Sequence, residues 1–311
     1  MFENVLSAIR EYNRIIIHRH KNPDGDALGS QLGLVGILKE NFPEKEIFAV
    51  GDTSARYAFM GFTPDEVADE AYNGALAIIL DTSASALICD ERYKLAEKTV
   101  RIDHHIFCEE IANIEVTDTS YESCCGLIAA FAMECGLKVP SDAAKAIYTG
   151  MITDSGRFRY DSVTPQTFRC AAFLMEQGFR TDDIYRNLYA DDFSFIQLRA
   201  RFVLKIQFAG NGVAYIYTTK EEADSYEADT FTISRGMVNV MGEIRGIDTW
   251  VNFTETDEGV LCEIRSSLYN INPIAKKYGG GGHAKASGAT LKDKDEAMAM
   301  LEDLKALGGA Q

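Results

Sequence analysis

The chain has 311 residues, 46% of them hydrophobic and 25% charged, with a formal net charge of −16. That length suffices for two domains, each with its own core, and so acidic a field disfavours long duplex nucleic acid, whose indiscriminate binding rests on basic patches. An anionic substrate stays compatible if bound cations reverse the sign inside a cleft. There is no apolar run long enough to span a bilayer, and the start, MFENVLSAIREYNRIII, lacks a basic n-region and a small-residue cleavage site. A cytoplasmic location with no membrane partner is expected. The seven cysteines are odd in number and show no C-x-x-C spacing, so they read as reduced, mostly buried thiols and not as a thiolate zinc site.

In chain order, FENVLSAIREY has helical spacing, RIIIH is a β-branched run, ALGSQLGLVGILKE is helical, and EIFAV, ALAIILD and TVRID are short strands. Continuous apolar strands alternating with helices predict βαβ units and a parallel sheet covered on both faces. Residues 121–135, 141–152 and 166–178 read as helices. The second half differs. GVAYIYTT, TWVNFTETDEGVLCEIRSS and SGATLKD read as strands, the middle one a hairpin turning at TDEG, and KDEAMAMLEDLKAL is an amphipathic helix. Between the halves, DDFSFIQLRARFVLKIQF reads as a helix running into a strand, with no Gly/Ser tract. The fold class is therefore α/β, with a first domain over 1–188, an ordered helical linker over 189–208 and a smaller α/β domain over 209–311.

Three strands of the first half end in metal-binding groups. RIIIH runs into His20, Asp24 and Asp26, AIILD ends at Asp81, and TVRID ends at Asp103, His104 and His105. Ligands bind outside the carboxyl ends of strands in parallel α/β sheets, so these ends are expected to converge. GMITDSGRF adds Asp154. Taken singly, each segment has an ordinary reading. NPDGD makes a turn, Asp81 caps a helix, Asp154 caps a helix or pairs with Arg157 or Arg159, and the two histidines are satisfied in a loop. Their joint convergence favours a metal centre. Carboxylates and imidazoles without thiolates suit Mn²⁺ or Mg²⁺. Six or seven such ligands exceed the need of one ion and fit two, about 3.5–4 Å apart, with Asp81 as the bridge and in-line attack on phosphorus as the chemistry. In the second half, YGGGGHAKASG offers close backbone approach and an anion nest, with His283 and Lys285 beside it and Arg265 as a phosphate clamp.

Together these segments resemble the DHH phosphoesterase family. HKNPDGDALGS, LDTS, DHH and TDSGRF look like its first four motifs, and GGGGHAKASG resembles the signature of the DHH-associated C-terminal domain. The length and layout look most like the family's NrnA-type, stand-alone members, which degrade very short oligoribonucleotides and remove the 3′-phosphate of pAp. The resemblance implies an active site in the cleft between the domains and two divalent ions, Mn²⁺ first, with Mg²⁺ or Co²⁺ as alternatives. It implies His20, Asp24 and Asp81 on one ion and Asp26, Asp81, His104 and Asp154 on the other. Asp103 and His105 would be catalytic, behind the ligands or beside the scissile phosphate. Arg265, Gly280, Gly281, Gly282 and His283 would face the substrate, and His18 would be structural. Short oligoribonucleotides or small nucleotides are the expected partners, and a homodimer is left open. The alternatives are a phosphodiesterase of c-di-AMP or pApA and a nucleotide-binding sensor without catalysis, and GGGGHAKASG argues against a family II pyrophosphatase.

Overall fold

The computed structural model describes residues 1–308 as two compact units, Met1–Ala190 and a second beginning at Asp191. The β-branched and aliphatic runs of the first unit become strands β1 (Arg14–His18), β2 (Glu46–Ala49), β3 (Leu76–Leu80), β4 (Lys98–Asp103) and β5 (Ile114–Thr117). They form one parallel sheet in the order β2-β1-β3-β4-β5. Alternation along each strand divides the side chains between two faces. Ile15, Ile17, Leu76, Ile78, Leu80, Val100 and Ile102 face the helices, namely α1 (Glu3–Glu11), α2 (Gly25–Asn41), α3 (Cys124–Cys135), α4 (Ser141–Asp154), α5 (Pro165–Met175) and α6 (Thr181–Tyr189). Each aliphatic side chain buried there contributes about 1.5–3 kcal/mol.

The opposite face departs from the expected βαβ pattern. Ile16, Ala77 and Ile79 are covered by 3₁₀ turns and loops, among them Asp69–Tyr72 and Glu91–Leu95, and not by helices. The buried rings of Tyr72 and Tyr93 supply that cover with few residues, so short connections suffice where helices were expected.

One packing contact decides where the helix ends lie. A Cβ at Gly29 of α2 would stand 2.6 Å from the Ala146 carbonyl, and one at Gly150 of α4 would stand 2.3 Å from the Cys125 sulfur and 3.0 Å from the Asp26 Cα. Only glycine lets α2 and α4 approach this closely. The start of α2, with Asp24 and Asp26, therefore lies beside the end of α4, at Asp154.

In the second unit α7 (Phe193–Leu204) leads into β6 (Gln207–Gly210) and β7 (Val213–Thr218), followed by α8 (Lys220–Asp224), β8 (Thr249–Thr256), β9 (Gly259–Ser266), α9 (Asn272–Lys277), β10 (Gly281–Gly282), β11 (Ala286–Leu291) and α10 (Lys294–Gly308). The six strands form a mixed sheet ordered β10-β11-β9-β8-β7-β6, parallel only between β7 and β8. Phe253, Cys262 and Ile264 pack against Met300 and Leu304 of α10 on one face. Ile216 and Trp250 pack against Leu198 and Phe202 of α7 on the other. From Asp191 onward the segment read as a linker groups with this unit, its apolar residues burying against the sheet. Of the cysteines, all free, Cys124, Cys125, Cys170 and Cys262 are buried, whereas Cys108 is exposed. No helix among the described residues is long and apolar enough to cross a membrane.

Candidate metal centre

The strand order puts the topological switch point between β1 and β3, where ligands gather in doubly wound sheets. His20, Asp24 and Asp26 follow β1, Asp81 follows β3, Asp103 ends β4 and His104 and His105 follow it. All of these residues, with Asp154, come together at this end of the sheet. Asp81 holds a left-handed backbone, φ 49°, fixed by its amide donating to the Ile102 carbonyl. Such a conformation is costly for aspartate and is retained where the surroundings impose it.

The two oxygens of Asp81 face different partners. Oδ2 lies 3.4 Å from His20 Nε2, which is also 3.8 Å from Asp24 Oδ1. Oδ1 lies 3.5 Å from His104 Nε2, which is also 3.5 Å from Asp154 Oδ2 and 3.8 Å from Asp26 Oδ2. The side chain expected to bridge two ions thus stands between the two expected ligand sets. His20 Nδ1 donates to the Lys21 carbonyl at 2.9 Å, which fixes the tautomer and leaves Nε2 for the carboxylates. Asp24 also caps α2, accepting from the amides of Asp26 and Ala27. Asp26 is buried, and its carboxylate accepts from the amides of Cys124 and Cys125 at the start of α3. Buried Asp103 accepts from His105 Nδ1 at 2.8 Å, leaving Nε2 of the half-exposed His105 ring free. His20, Asp24, Asp81, His104, His105 and Asp154 line a cavity of about 260 Å³.

The electrostatics are those of an anionic site in want of cations. Burial opposes charge on the imidazoles, yet Asp24 and Asp81 lift His20 to about 11, and Asp81, Asp26 and Asp154 lift His104 to about 10. Burial also opposes ionisation of Asp81, but His104 and His20 hold it well below the usual carboxylate range. Burial raises Asp154 to about 6, opposed by His104 and reinforced by Asp81 and Asp24. Asp26 is raised by burial and by the charges of Asp81 and Asp154. Asp81 Oδ1 is buried and accepts no hydrogen bond. A buried carboxylate oxygen without a hydrogen bond, 3.5 Å from His104 Nε2 and 3.6 Å from His105 Nδ1, is the arrangement a divalent cation satisfies. The groups His20–Asp24–Asp81, Asp26–His104–Asp154 and Asp81–His104–His105 each bring ligand atoms within 4.8 Å of one another, so the residues present fit a divalent metal.

His18 is excluded from this cluster. It is buried against Tyr72 and Tyr93, and burial lowers it to about 4, the behaviour of a structural neutral imidazole. Arg265, Gly280, Gly281, Gly282 and His283 belong to the second unit. Arg265 lies on β9 opposite Ala286 and contacts Glu263 at 3.1 Å, while the His283 side chain is exposed. Part of the glycine run is engaged by backbone. The amides of Gly279, Gly280 and His283 donate to the carbonyls of Lys276, Ala275 and Ala286, and a Cβ at Gly280 would stand 2.1 Å from the Gly288 carbonyl. Close packing of the β10–β11 turn accounts for glycine at Gly280.

Two family models match this chain. The model of the DHH family N-terminal domain matches residues 14–151, and that of the DHHA1 domain matches residues 213–308. The chain is 36% identical to the bifunctional oligoribonuclease and PAP phosphatase NrnA of Bacillus subtilis over 99% of this chain and 98% of that protein. The chain belongs to the DHH family. A probable bifunctional oligoribonuclease and PAP phosphatase NrnA of Streptococcus mutans is 32% identical over 98% of each chain. Among solved structures, an exopolyphosphatase-related protein from Bacteroides fragilis superposes with a TM-score of 0.82 at 26% identity, covering 99% of this chain and 97% of that one.

Sequence reading of this DHH-family chain missed two fully buried arginines beneath the cluster. Arg19 donates to the His20 carbonyl at 3.0 Å, to Gln31 Oε1 at 3.0 Å and to both side chain and backbone of Asp52, and Asp52 in turn accepts from the Asn22 amide. Arg101 pairs with Glu115, donates to the Ser83 carbonyl at 3.4 Å and lies under the Phe107 ring at 5.3 Å. Each arginine thus braces a loop that carries candidate ligands. For Arg101 the available signal was a charged residue inside an apparent strand, since a buried guanidinium needs a dedicated set of partners.

Proposed function

We propose that this chain is a two-metal phosphoesterase that hydrolyses very short oligoribonucleotides to mononucleotides and removes the 3′-phosphate of pAp. The observation that carries the reading is Asp81, whose two oxygens face His20 and His104 separately, in a chain similar over its whole length to proteins named for those two activities. His20, Asp24 and Asp81 would hold one ion and Asp26, Asp81, His104 and Asp154 the other. Mn²⁺ suits this donor set of carboxylates and imidazoles, with Mg²⁺ or Co²⁺ able to substitute. When bound, the ions would neutralise charge on the phosphoryl oxygens and activate the attacking water.

The chain's own residues do the rest. Asp103 fixes His105 with its proton on Nδ1, so Nε2 is the atom that exchanges a proton with the leaving oxygen. Arg265 and His283 orient a phosphate or base of the substrate, a binding role separate from the ions. Few phosphates are engaged and the chain carries −16, so activity falls steeply with substrate length and depends weakly on salt.

The test is an activity panel with added Mn²⁺ over pAp, dinucleotides to pentanucleotides, c-di-AMP and pyrophosphate. Turnover of pAp and the shortest RNAs is expected. Preferential turnover of c-di-AMP or pyrophosphate would overturn the assignment.

A further inference from the structure

Directly after Asp154, the chain makes a turn that ordinary residues avoid. Gly156, Arg157 and Phe158 have φ of 56°, 65° and 60°, three successive left-handed residues of which two carry large side chains. The surroundings hold them there. The Arg157 amide donates to the Ile152 carbonyl at 2.8 Å, the Phe158 amide to Ser155 Oγ at 2.9 Å, and the Phe158 ring packs between Tyr148 and Phe168 at 5.9 and 5.7 Å. Backbone strain that is so thoroughly imposed points to a side chain being aimed.

That side chain is Arg157. Its guanidinium lies 4.3 Å over the ring of Tyr189, the last residue of α6, and makes no hydrogen bond or ion pair with any described residue. The exposed fork therefore keeps N–H donors that no described residue takes up, and a guanidinium with spare donors can receive a phosphate bidentately. Arg157 follows Asp154 by three residues, so their Cα atoms are at most about 10 Å apart. Tyr57 extends the same margin. Its phenol is raised by burial and by the charges of Asp24 and Asp154, opposed by Arg56 and the Gly25 amide.

We propose that Arg157, pinned on Tyr189, binds the phosphate that is not hydrolysed, which is the 5′-phosphate of pAp or of a 5′-phosphorylated dinucleotide. The assignment deepens the proposed function and rests on it for the identity of the substrate. It separates two tasks. The acid–histidine cluster handles the scissile group, and the Arg157 fork measures off the neighbouring phosphate and so selects nucleotides that carry one.

The test uses Arg157→Met, which keeps chain length and contact with the ring but removes the donors, with Arg157→Lys and Tyr189→Leu in parallel. Against pAp and pApA, kcat/KM is expected to fall roughly tenfold to a hundredfold in Arg157→Met, mainly through KM. Against 3′-AMP and ApA, which lack the 5′-phosphate, it should be unchanged. Arg157→Lys should restore only part of the loss, and Tyr189→Leu should lose less than Arg157→Met in the same direction. Equal losses with and without the 5′-phosphate would overturn the assignment. A second measurement does not depend on turnover: calorimetric binding of 5′-AMP and adenosine to wild type and Arg157→Met, both loaded with Mn²⁺. Weakened 5′-AMP with unchanged adenosine supports the site even if pAp proves not to be a substrate, in which case only the proposed function falls. Unchanged or undetectable 5′-AMP binding refutes the site whatever the enzyme hydrolyses. Unchanged Mn²⁺ affinity and melting temperature in the variant exclude a folding artefact, and if Arg157→Met does not fold, Arg157→Lys decides by the same comparison.

Discussion

The carboxylate of Asp26 accepts hydrogen bonds from the amides of Cys124, at 2.7 Å, and Cys125, at 2.9 Å, so the residue that faces His104 also caps a helix that begins 98 positions later. An anion at the first turn of a helix meets unsatisfied amides and the positive end of the dipole, which offsets part of the cost of burying it. Asp26→Ala should therefore destabilise the metal-free protein by about 1–2 kcal/mol through the lost cap. Asp26→Asn, which keeps one acceptor, should lose less. Denaturant unfolding in the presence of chelator reads this directly, and equal stability of wild type and Asp26→Ala would show that α3 does not depend on the cap.

Asp81 faces both ligand sets, whereas Asp154 faces only the His104 set. Asp81→Asn should abolish turnover, by about a thousandfold or more, while leaving the protein folded. Asp154→Asn should cost about ten- to a hundredfold and recover in part with excess metal. Steady-state kinetics across a Mn²⁺ titration distinguishes the two, and near-normal rates for Asp81→Asn at saturating Mn²⁺ would rule out the shared role.

Metal loading should release protons. His20, at about 11, and His104, at about 10, carry protons at neutral pH in the metal-free protein, and both must lose them to act as ligands. Apparent metal affinity should accordingly rise with pH across the neutral range. The sign for stability follows from the same shifts. Groups raised in the folded state add stability below their ordinary value near 6.5, and that stability is lost as pH climbs through about 10 to 11. Chelated protein should therefore weaken toward alkaline pH, and metal-loaded protein should not. Calorimetry in buffers of different ionisation enthalpy counts the released protons, and a heat independent of buffer would refute the exchange.

Arg101 joins the Ser83 carbonyl, two residues past Asp81, to the Phe107 ring, two residues past His105. Arg101→Met should preserve the fold, since Glu115 is partly exposed and can rehydrate, but lower kcat by about ten- to a hundredfold. Arg101→Lys should not rescue it, because an ammonium cannot hold the carboxylate, the carbonyl and the ring together. Full activity of Arg101→Met would show that the two loops hold their geometry without it.

Arg265→Ala and His283→Ala should raise KM for pAp and leave Mn²⁺ affinity intact, since both residues lie in the second unit and outside every metal-competent cluster. Loss of Mn²⁺ binding in either variant, measured calorimetrically, would count against a substrate role.

Strand and ligand character were legible from residue order alone. A β-branched run followed by HxxxDxD, an aliphatic run ending in Asp81 and a strand ending in Asp103, His104 and His105 are local patterns, and parallel sheets gather such ends on one side for a general topological reason. What residue order left open depends on contacts between distant segments. Asp154 reaches the cluster because glycines at Gly29 and Gly150 let α2 and α4 touch, and Asp26 gains its cap from a helix far along the chain. Arg19 follows the first strand and Arg101 sits within another, and only burial shows them as braces for the ligand loops. Tyr72 and Tyr93 roofed a face expected to be helical, and α7, read as a linker, buried Leu198 and Phe202 in the second core. Local periodicity and residue type determined which side chains gather at one end of the sheet. Only close packing, which sets the distance between elements that share no sequence neighbourhood, decided which oxygen faces which imidazole.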